Sequence, residues 1–296
     1  MDGGFTVSLD DKYVATSGRI YVNGTQALTR LPISQRQLDV KMGLNTAGFI
    51  SGYRGSPLST YDQDLWRARK HLEAHNIHFQ AGLNEEIAAT SVWGSQQVGL
   101  FGKAKFDGVF GLWYAKNPGL DRAGDAMKHG NYAGTSKHGG VLVVIGDDPA
   151  AKSATIPNQS EYTFIGQNIP VVAPSDLQDV LDLGMLGWGL SRYSGCWVGF
   201  KVEPNVIERS ASIEIGPDRI QYRAPTDFQL PPDGVNIRWP EDRFSPEVRL
   251  WEHKLPAAEA FARANGINRT LFSRQGARLG IVTSGKAYLD VREALD

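Results

Sequence analysis

The chain has 296 residues with 31 Lys plus Arg against 32 Asp plus Glu, a balance that gives no electrostatic footprint for nucleic acid or an anionic membrane. Hydrophobic residues at 41% and charged residues at 21% exclude a disordered chain, and the length predicts about two domains with a sizeable core. A single cysteine, Cys196, excludes an internal disulfide and any all-cysteine metal or iron–sulfur site built by this chain alone, and it suits a reducing, cytoplasmic compartment.

Met1–Asp10 is Gly-rich and acidic, with no basic start and no apolar core, so no secretory signal is read. Without secretion, Asn23-Gly24-Thr25 matches the glycosylation pattern by chance. Tyr13–Ser17 and Arg19–Val22 around Gly18 predict a small hairpin. Ala47–Tyr53 reads as a strand, and Ser56–His75 as a helix opened by a cap residue and a proline. Ile77–Ala81 is a short strand, Asn84–Leu100 a helix capped by Asn84, Gly108–Tyr114 a strand, and Pro118–Gly134 a helical stretch. Gly140–Ile145 and Pro170–Ala173 are further strands. Ser175-Asp176 opens a helix to Tyr193, and Cys196–Val202 closes the series.

No run among these approaches the ~20 apolar residues that span a bilayer. The strand runs are continuous rather than alternating and are separated by helices. That pattern predicts α/β architecture with a parallel sheet and helices on both faces. Ligands then sit outside the carboxyl ends of the strands. The loops to watch are Arg54–Ser59, Gly82–Glu86, Ala115–Arg122 and Gly146–Gln159. Several of the 33 glycines stand there, where tight turns and close approach of a ligand need them.

After Val202, Glu203–Pro246 holds seven prolines and no helical period, and reads as a covering arm with one helix near Pro246–Ala264. Leu279–Ser284, Gly285 and Lys286–Leu295 then predict a new strand, turn and helix. The expected domains are 1–205, a Pro-rich arm and helix over 206–270, and the start of a second α/β domain over 271–296, cut early. The other reading has this last strand joining the edge of the main sheet.

No P-loop and no G-x-G-x-x-G after a strand is present. His71 and His75 share a helix face but lack the H-E-x-x-H order and lie among Arg67, Arg69 and Lys70, which favours a solvated face over a metal. Four strand-end segments carry chemistry. Asn84-Glu85-Glu86 places a carboxylate at a helix start, where it either points into the cleft or complements the helix dipole; Glu86 is the better fit to an exposed first-turn acid. Arg54 in Tyr53-Arg54-Gly55-Ser56-Pro57 can clamp a carboxylate and Ser56 can donate a hydrogen bond, or the pair is a surface arginine and a cap. Lys116-Asn117-Pro118-Gly119 is a ligand loop or a plain turn. Asp147-Asp148, followed by Lys152 and Ser153, reads as a structured loop near a ligand rather than a metal site.

Taken in order, GYRGSPLSTYD, LNEEIAATSVWGSQQ, AKNPGLDRAGDAMKHGNYAG and GDDPAAKSATIPNQSEY resemble indolepyruvate:ferredoxin oxidoreductase, most closely its long fused single-chain form. Ser17–Pro32 shares that resemblance, which spans roughly Phe5 to Asp296. It implies a thiamine diphosphate-binding fold of the pyrimidine-domain type, and a 2-oxoacid oxidoreductase that uses coenzyme A and a ferredoxin-like acceptor. The G-D-G magnesium–diphosphate motif and the cluster cysteines are not seen. By the resemblance, Mg²⁺ and iron–sulfur clusters would be held by remaining domains of the same polypeptide, this chain would hold no metal, and the assembly would be a homodimer. A fragment of this kind is expected to be inactive alone.

The resemblance also assigns roles. A Glu at the N1′ nitrogen of the aminopyrimidine favours the imino tautomer, whose nitrogen takes the C2 proton. The ring then serves as electron sink when carbon dioxide leaves. Burial at an interface favours the protonated form that such a carboxylate needs. Glu85 matches this position, with Glu86 as fallback. Ser56, Asn117 and Gly119 are the expected cofactor contacts; Ser56 stands where pyruvate enzymes of the family have Thr. Arg54, Asp148 and Ser153 are the expected substrate-side residues. The competing functions are half of a non-oxidative thiamine-dependent decarboxylase or transferase, and a non-catalytic module retaining the fold. No G-x-S-x-G nucleophile elbow supports an acyl transferase.

Overall fold

The computed structural model describes residues 8–296. Helix α1 (Asp11–Val14) is followed by β1 (Gly18–Asn23), α2 (Gly24–Lys41) and β2 (Thr46–Gly52). Next come α3 (Tyr61–Arg67), α4 (Arg69–Ala74), β3 (Ile77–Phe79), α5 (Glu85–Ser95) and β4 (Gly108–Lys116). The chain continues through α6 (Asn117–Arg122), α7 (Gly124–Ala133), β5 (Val141–Gly146), α8 (Glu161–Gly166) and β6 (Val171–Val172). It then forms α9 (Leu177–Ser194), β7 (Trp197–Val202), α10 (Pro204–Ile207) and β8 (Ser210–Ile215). After the arm, α11 (Ser245–Arg249) runs through a π-helical turn (Leu250–Lys254) into α12 (Leu255–Ala264), and α13 (Lys286–Leu295) is the last element.

The expected parallel sheet is present, with six strands in the order β3-β2-β4-β5-β7-β6 and every pair parallel. Side chains alternate between two cores. Phe110, Leu112 and Tyr114 of β4 face α2, α3, α4 and α9, while Trp113 and Ala115 face α5, α6, α7 and α8. Burial on both faces explains why these strands read as continuous apolar runs.

Five sequence expectations need correction. The amino-terminal hairpin does not form. β1 pairs antiparallel with β8, Gly18 opposite Ile215 and Asn23 opposite Ser210, in a separate two-stranded ribbon. Ile20 and Val22 are buried and Tyr21 is exposed, the alternation of a half-buried strand, but its partner lies far along the chain.

The predicted helix from Ser56 begins only at Tyr61 and is broken at Ala68, because residues 53–60 cross the strand ends as a loop. The helix capped by Asn84 ends at Ser95 rather than Leu100. The stretch 118–134 is two helices that meet at Ala123. Residues 279–284 form no strand: none lies beside them to share a ladder, and Leu279 and Val282 are exposed. The long helix α2 is an addition, signalled by a capping box in which Asn23 Oδ1 accepts from Gln26 N–H at 2.9 Å and Gln26 Oε1 accepts from Asn23 N–H at 3.1 Å.

Candidate functional site

The chain leaves β2 toward one edge of the sheet and β4 toward the other, so a crevice opens at their carboxyl ends, the position at which open α/β sheets bind ligands. Glycines let the loops meet there. A Cβ on Gly52 would lie 2.2 Å from the Tyr114 carbonyl oxygen, and Tyr53 N–H donates to that oxygen at 3.0 Å. A Cβ on Gly55 would lie 2.7 Å from Lys116 Cβ, and one on Gly146 would lie 2.7 Å from Pro57 Cδ. Gly82 N–H donates to the Gly52 carbonyl at 2.9 Å and brings in the loop that follows β3. All four segments that carry the resemblance therefore converge on one end of the sheet.

Glu85 is the first residue of α5. Asn84 Oδ1 accepts from Ile87 N–H at 2.8 Å and caps the helix, as its sequence position predicts. Trp113 Nε1 donates to the Glu85 carbonyl at 2.9 Å and ties the helix start to β4. Small residues Ala88 and Ala89 bury the helix against the sheet. The Glu85 side chain is 14% exposed and lies over Gly119, where a Cβ would be 2.6 Å from Glu85 Cγ and 2.9 Å from Oε1. Among the described residues, none donates a hydrogen bond to its carboxylate; the nearest cation, Arg122 Nε, is 3.8 Å from Oε2 on a largely exposed side chain. Glu86 is exposed.

The other anticipated residues fall into two groups. Ser56 is half-buried and Arg54 exposed on the loop after β2. Beside Arg54, Asp62 accepts from Tyr114 Oη at 2.7 Å; burial pushes both groups up, the phenol far above its ordinary value. Asn117 is buried and donates from Nδ2 to Ser160 Oγ at 3.0 Å. Ser160 in turn donates to Asp147 from its N–H, at 2.9 Å, and from its hydroxyl.

Asp148 and Ser153 are brought together, on each other. Asp148 accepts from the N–H of Ser153 at 2.9 Å, the N–H of Lys152 at 3.0 Å and the Ser153 hydroxyl at 3.1 Å, and these donors hold its carboxyl below the usual range. Lys116 Nζ donates to the Ser153 carbonyl at 2.8 Å and closes the loop over β4. Ser160, Arg122 and Lys201, which ion-pairs with Glu161 and Glu203, carry no signal in the sequence. The adjacent acids Asp147 and Asp148 were noticed as a pair, but nothing in their spacing divides them between two hydrogen-bond networks. His71 and His75 do not converge: His71 stacks on Tyr13 with ring centroids 5.1 Å apart, and His75 Nδ1 meets the His71 carbonyl at 2.8 Å.

No protein-family model matches the chain. Over 98% of its length it is 25% identical to the indolepyruvate oxidoreductase subunit IorA of Methanothermobacter thermautotrophicus, and over 94% it is 23% identical to that of Pyrococcus abyssi. It spans 43% and 39% of those two relatives. The fold is shared with a 2-oxoglutarate:ferredoxin oxidoreductase from Magnetococcus marinus, solved with 2-oxoglutarate, coenzyme A and succinyl-CoA bound. That match has a TM-score of 0.64 at 17% identity and covers 93% of this chain and 50% of that one. The resemblance carried by the four motifs thus extends across the chain. Among the described residues, no helix is long and apolar enough to cross a membrane.

Proposed function

We propose that this chain is the part of a thiamine diphosphate-dependent 2-oxoacid:ferredoxin oxidoreductase, of the indolepyruvate or aryl pyruvate type, that receives the aminopyrimidine and supplies Glu85 as its activating carboxylate. The overall reaction converts a 2-oxoacid and coenzyme A to acyl-CoA and carbon dioxide, with two electrons passing to a ferredoxin-like acceptor.

The observation that carries this reading is the state of Glu85. It is a mostly buried carboxylate at the carboxyl ends of a parallel sheet, without a hydrogen-bond donor among the described residues, laid against Gly119, where any side chain would collide with it. A carboxylate that serves only as a first-turn acid has no need of such burial, and Glu86 beside it is solvated. The site therefore fits an aminopyrimidine. When bound, thiamine diphosphate supplies a carbon acid that adds to a ketone and an electron sink for decarboxylation.

The protein's own groups do the rest. Glu85 would share a proton with ring nitrogen N1′ of the bound cofactor, and Gly119 leaves the room the Glu85 side chain needs to lie there. Ser56 donates from its hydroxyl, and Asn117, held by Ser160, fixes the start of α6. The Arg54 guanidinium takes the substrate carboxylate, and the loop closed by Asp148 and Ser153 walls the substrate side. Mg²⁺ and iron–sulfur clusters belong to further domains of the polypeptide, consistent with relatives more than twice as long. Residues 271–296, with Leu279, Ile281 and Val282 exposed, begin the next of these domains.

Deuterium exchange at thiamine C2 tests the reading in the assembled enzyme. Glu85→Gln keeps the shape but cannot shift the proton, so exchange falls by roughly 10²- to 10⁴-fold. Glu86→Gln costs only a few tenths of a kcal/mol of helix-dipole stabilisation. Unimpaired exchange in Glu85→Gln refutes the role, and a defect confined to Glu86→Gln transfers it by one residue.

A further inference from the structure

Away from the strand-end crevice, the Pro-rich arm covers a cavity of about 410 Å³ against the opposite, amino-terminal end of the sheet. Chain order places it there: Leu44 lines it just before β2, and His138 just before β5. The volume lies within the ~300–1,000 Å³ range of small-molecule sites. Three aromatic rings share its wall. Tyr193 and Tyr222 both flank Phe261, with centroids 5.8 and 6.3 Å from it.

The remaining polar groups are selective in sign. Among the described residues no carboxylate lines the cavity, and two of its lining cations, Lys137 and Arg223, make no ion pair. The third, Arg192, is neutralised by Asp39, which accepts from both terminal guanidinium nitrogens at 2.6 and 2.8 Å. The Tyr222 hydroxyl is likewise engaged, with Gln35 and the Met185 carbonyl, both at 2.9 Å. Asn236, also in the lining, holds a buried amide nitrogen that has no hydrogen-bond partner. Burial holds the His138 imidazole below its ordinary range, so it presents a neutral ring. An apolar aromatic wall with two unpaired cations and an unused amide donor matches a flat ring bearing one negative group.

We propose that this cavity binds an aromatic monocarboxylate of single-ring to indole size, its ring against Tyr193, Tyr222 and Phe261 and its carboxylate at Lys137 and Arg223. The site is separate from Glu85 and does not rest on the thiamine reading.

Calorimetric titration of the full chain with indole-3-acetate tests it, with the uncharged indole-3-acetamide as control. The expected result is saturable one-to-one binding, weakened roughly tenfold or more for the amide and for Lys137→Glu. Ala224→Trp, an exposed lining position where the indole fills the cavity mouth, abolishes binding. Thermal denaturation gives a second readout, since a ligand of the folded state raises Tm in the parent chain and not in Ala224→Trp. No saturation at millimolar acid overturns the proposal. So does binding that survives Lys137→Glu and Ala224→Trp but is lost in Arg54→Ala, which places the acid at the strand ends.

Discussion

Lys254 ends the π-helical turn with no exposed surface, and its ammonium donates to two main-chain carbonyls at the end of α7, Asn131 O at 2.9 Å and Tyr132 O at 3.0 Å. Among the described residues it forms no ion pair, and burial pulls its pKa down from 10.5 to about 8. Between those values the unfolded chain binds a proton that the folded chain lacks, so stability rises with pH across the window. Below about pH 8 both states are protonated and the gain is absent. The full swing is on the order of 3 kcal/mol. Urea midpoints measured at pH 7.5 and 10 should separate for the parent chain, and Lys254→Met should narrow the separation by that amount; an unchanged difference rejects the assignment.

Gly119 is the second residue-scale case. Alanine gains up to about 1 kcal/mol of helix propensity there, but its Cβ would meet Glu85 Cγ at 2.6 Å and Ala115 Cβ at 2.9 Å. Gly119→Ala should therefore displace the carboxylate and cut C2 exchange tenfold or more, while the urea midpoint moves little. Both effects have a sequence shadow in the glycine of AKNPGLD. The burial of Lys254 has none, because composition does not say which of 31 cations loses its water.

At the scale of elements, α2 and α9 are joined through Asp39, which is fully buried and accepts from Arg192, from Gln35 Nε2 at 2.9 Å and from Thr46 Oγ1 at 2.6 Å. Removing one partner strands the other charge in a low-dielectric site. Arg192→Met should cost about 3–5 kcal/mol in chemical denaturation, and Asp39→Asn combined with it should recover part of that loss. The strands of the main sheet were legible as apolar runs, and α9 as a capped apolar helix. Helix α2 was not, because Pro32 interrupts it and because Arg30, Gln35, Arg36 and Asp39, polar residues that break any apolar stripe, are buried and hydrogen-bonded. Likewise the loop over 53–60 looked like a helix start, since Ser-Pro is a cap signature wherever no second strand end lies beneath it.

For the whole molecule, sheet order was the quantity hidden from the sequence, although the existence of the sheet was plain. Local runs identify strands; only the crossovers put β3 outside β2 and β6 outside β7, and these depend on which helix covers which face. The convergence of the four candidate segments was legible as well, because each ends a strand and a parallel sheet gathers such ends on one side. The same topology predicts that a chain stopped at residue 205 retains all six sheet strands but leaves β1 without its partner. Such a product should form concentration-dependent oligomers by light scattering, and extension to residue 215 should reduce them.

That pairing also sets a clock. β1 emerges from the ribosome roughly 190 residues before β8. At ~5–20 residues per second the interval is on the order of 10 to 40 s. For that time Ile20 and Val22, buried in the finished ribbon, are without the strand that completes it. β1 is made well before its partner, so slow synthesis across residues 24–209 lengthens the period in which a nascent chain needs a chaperone.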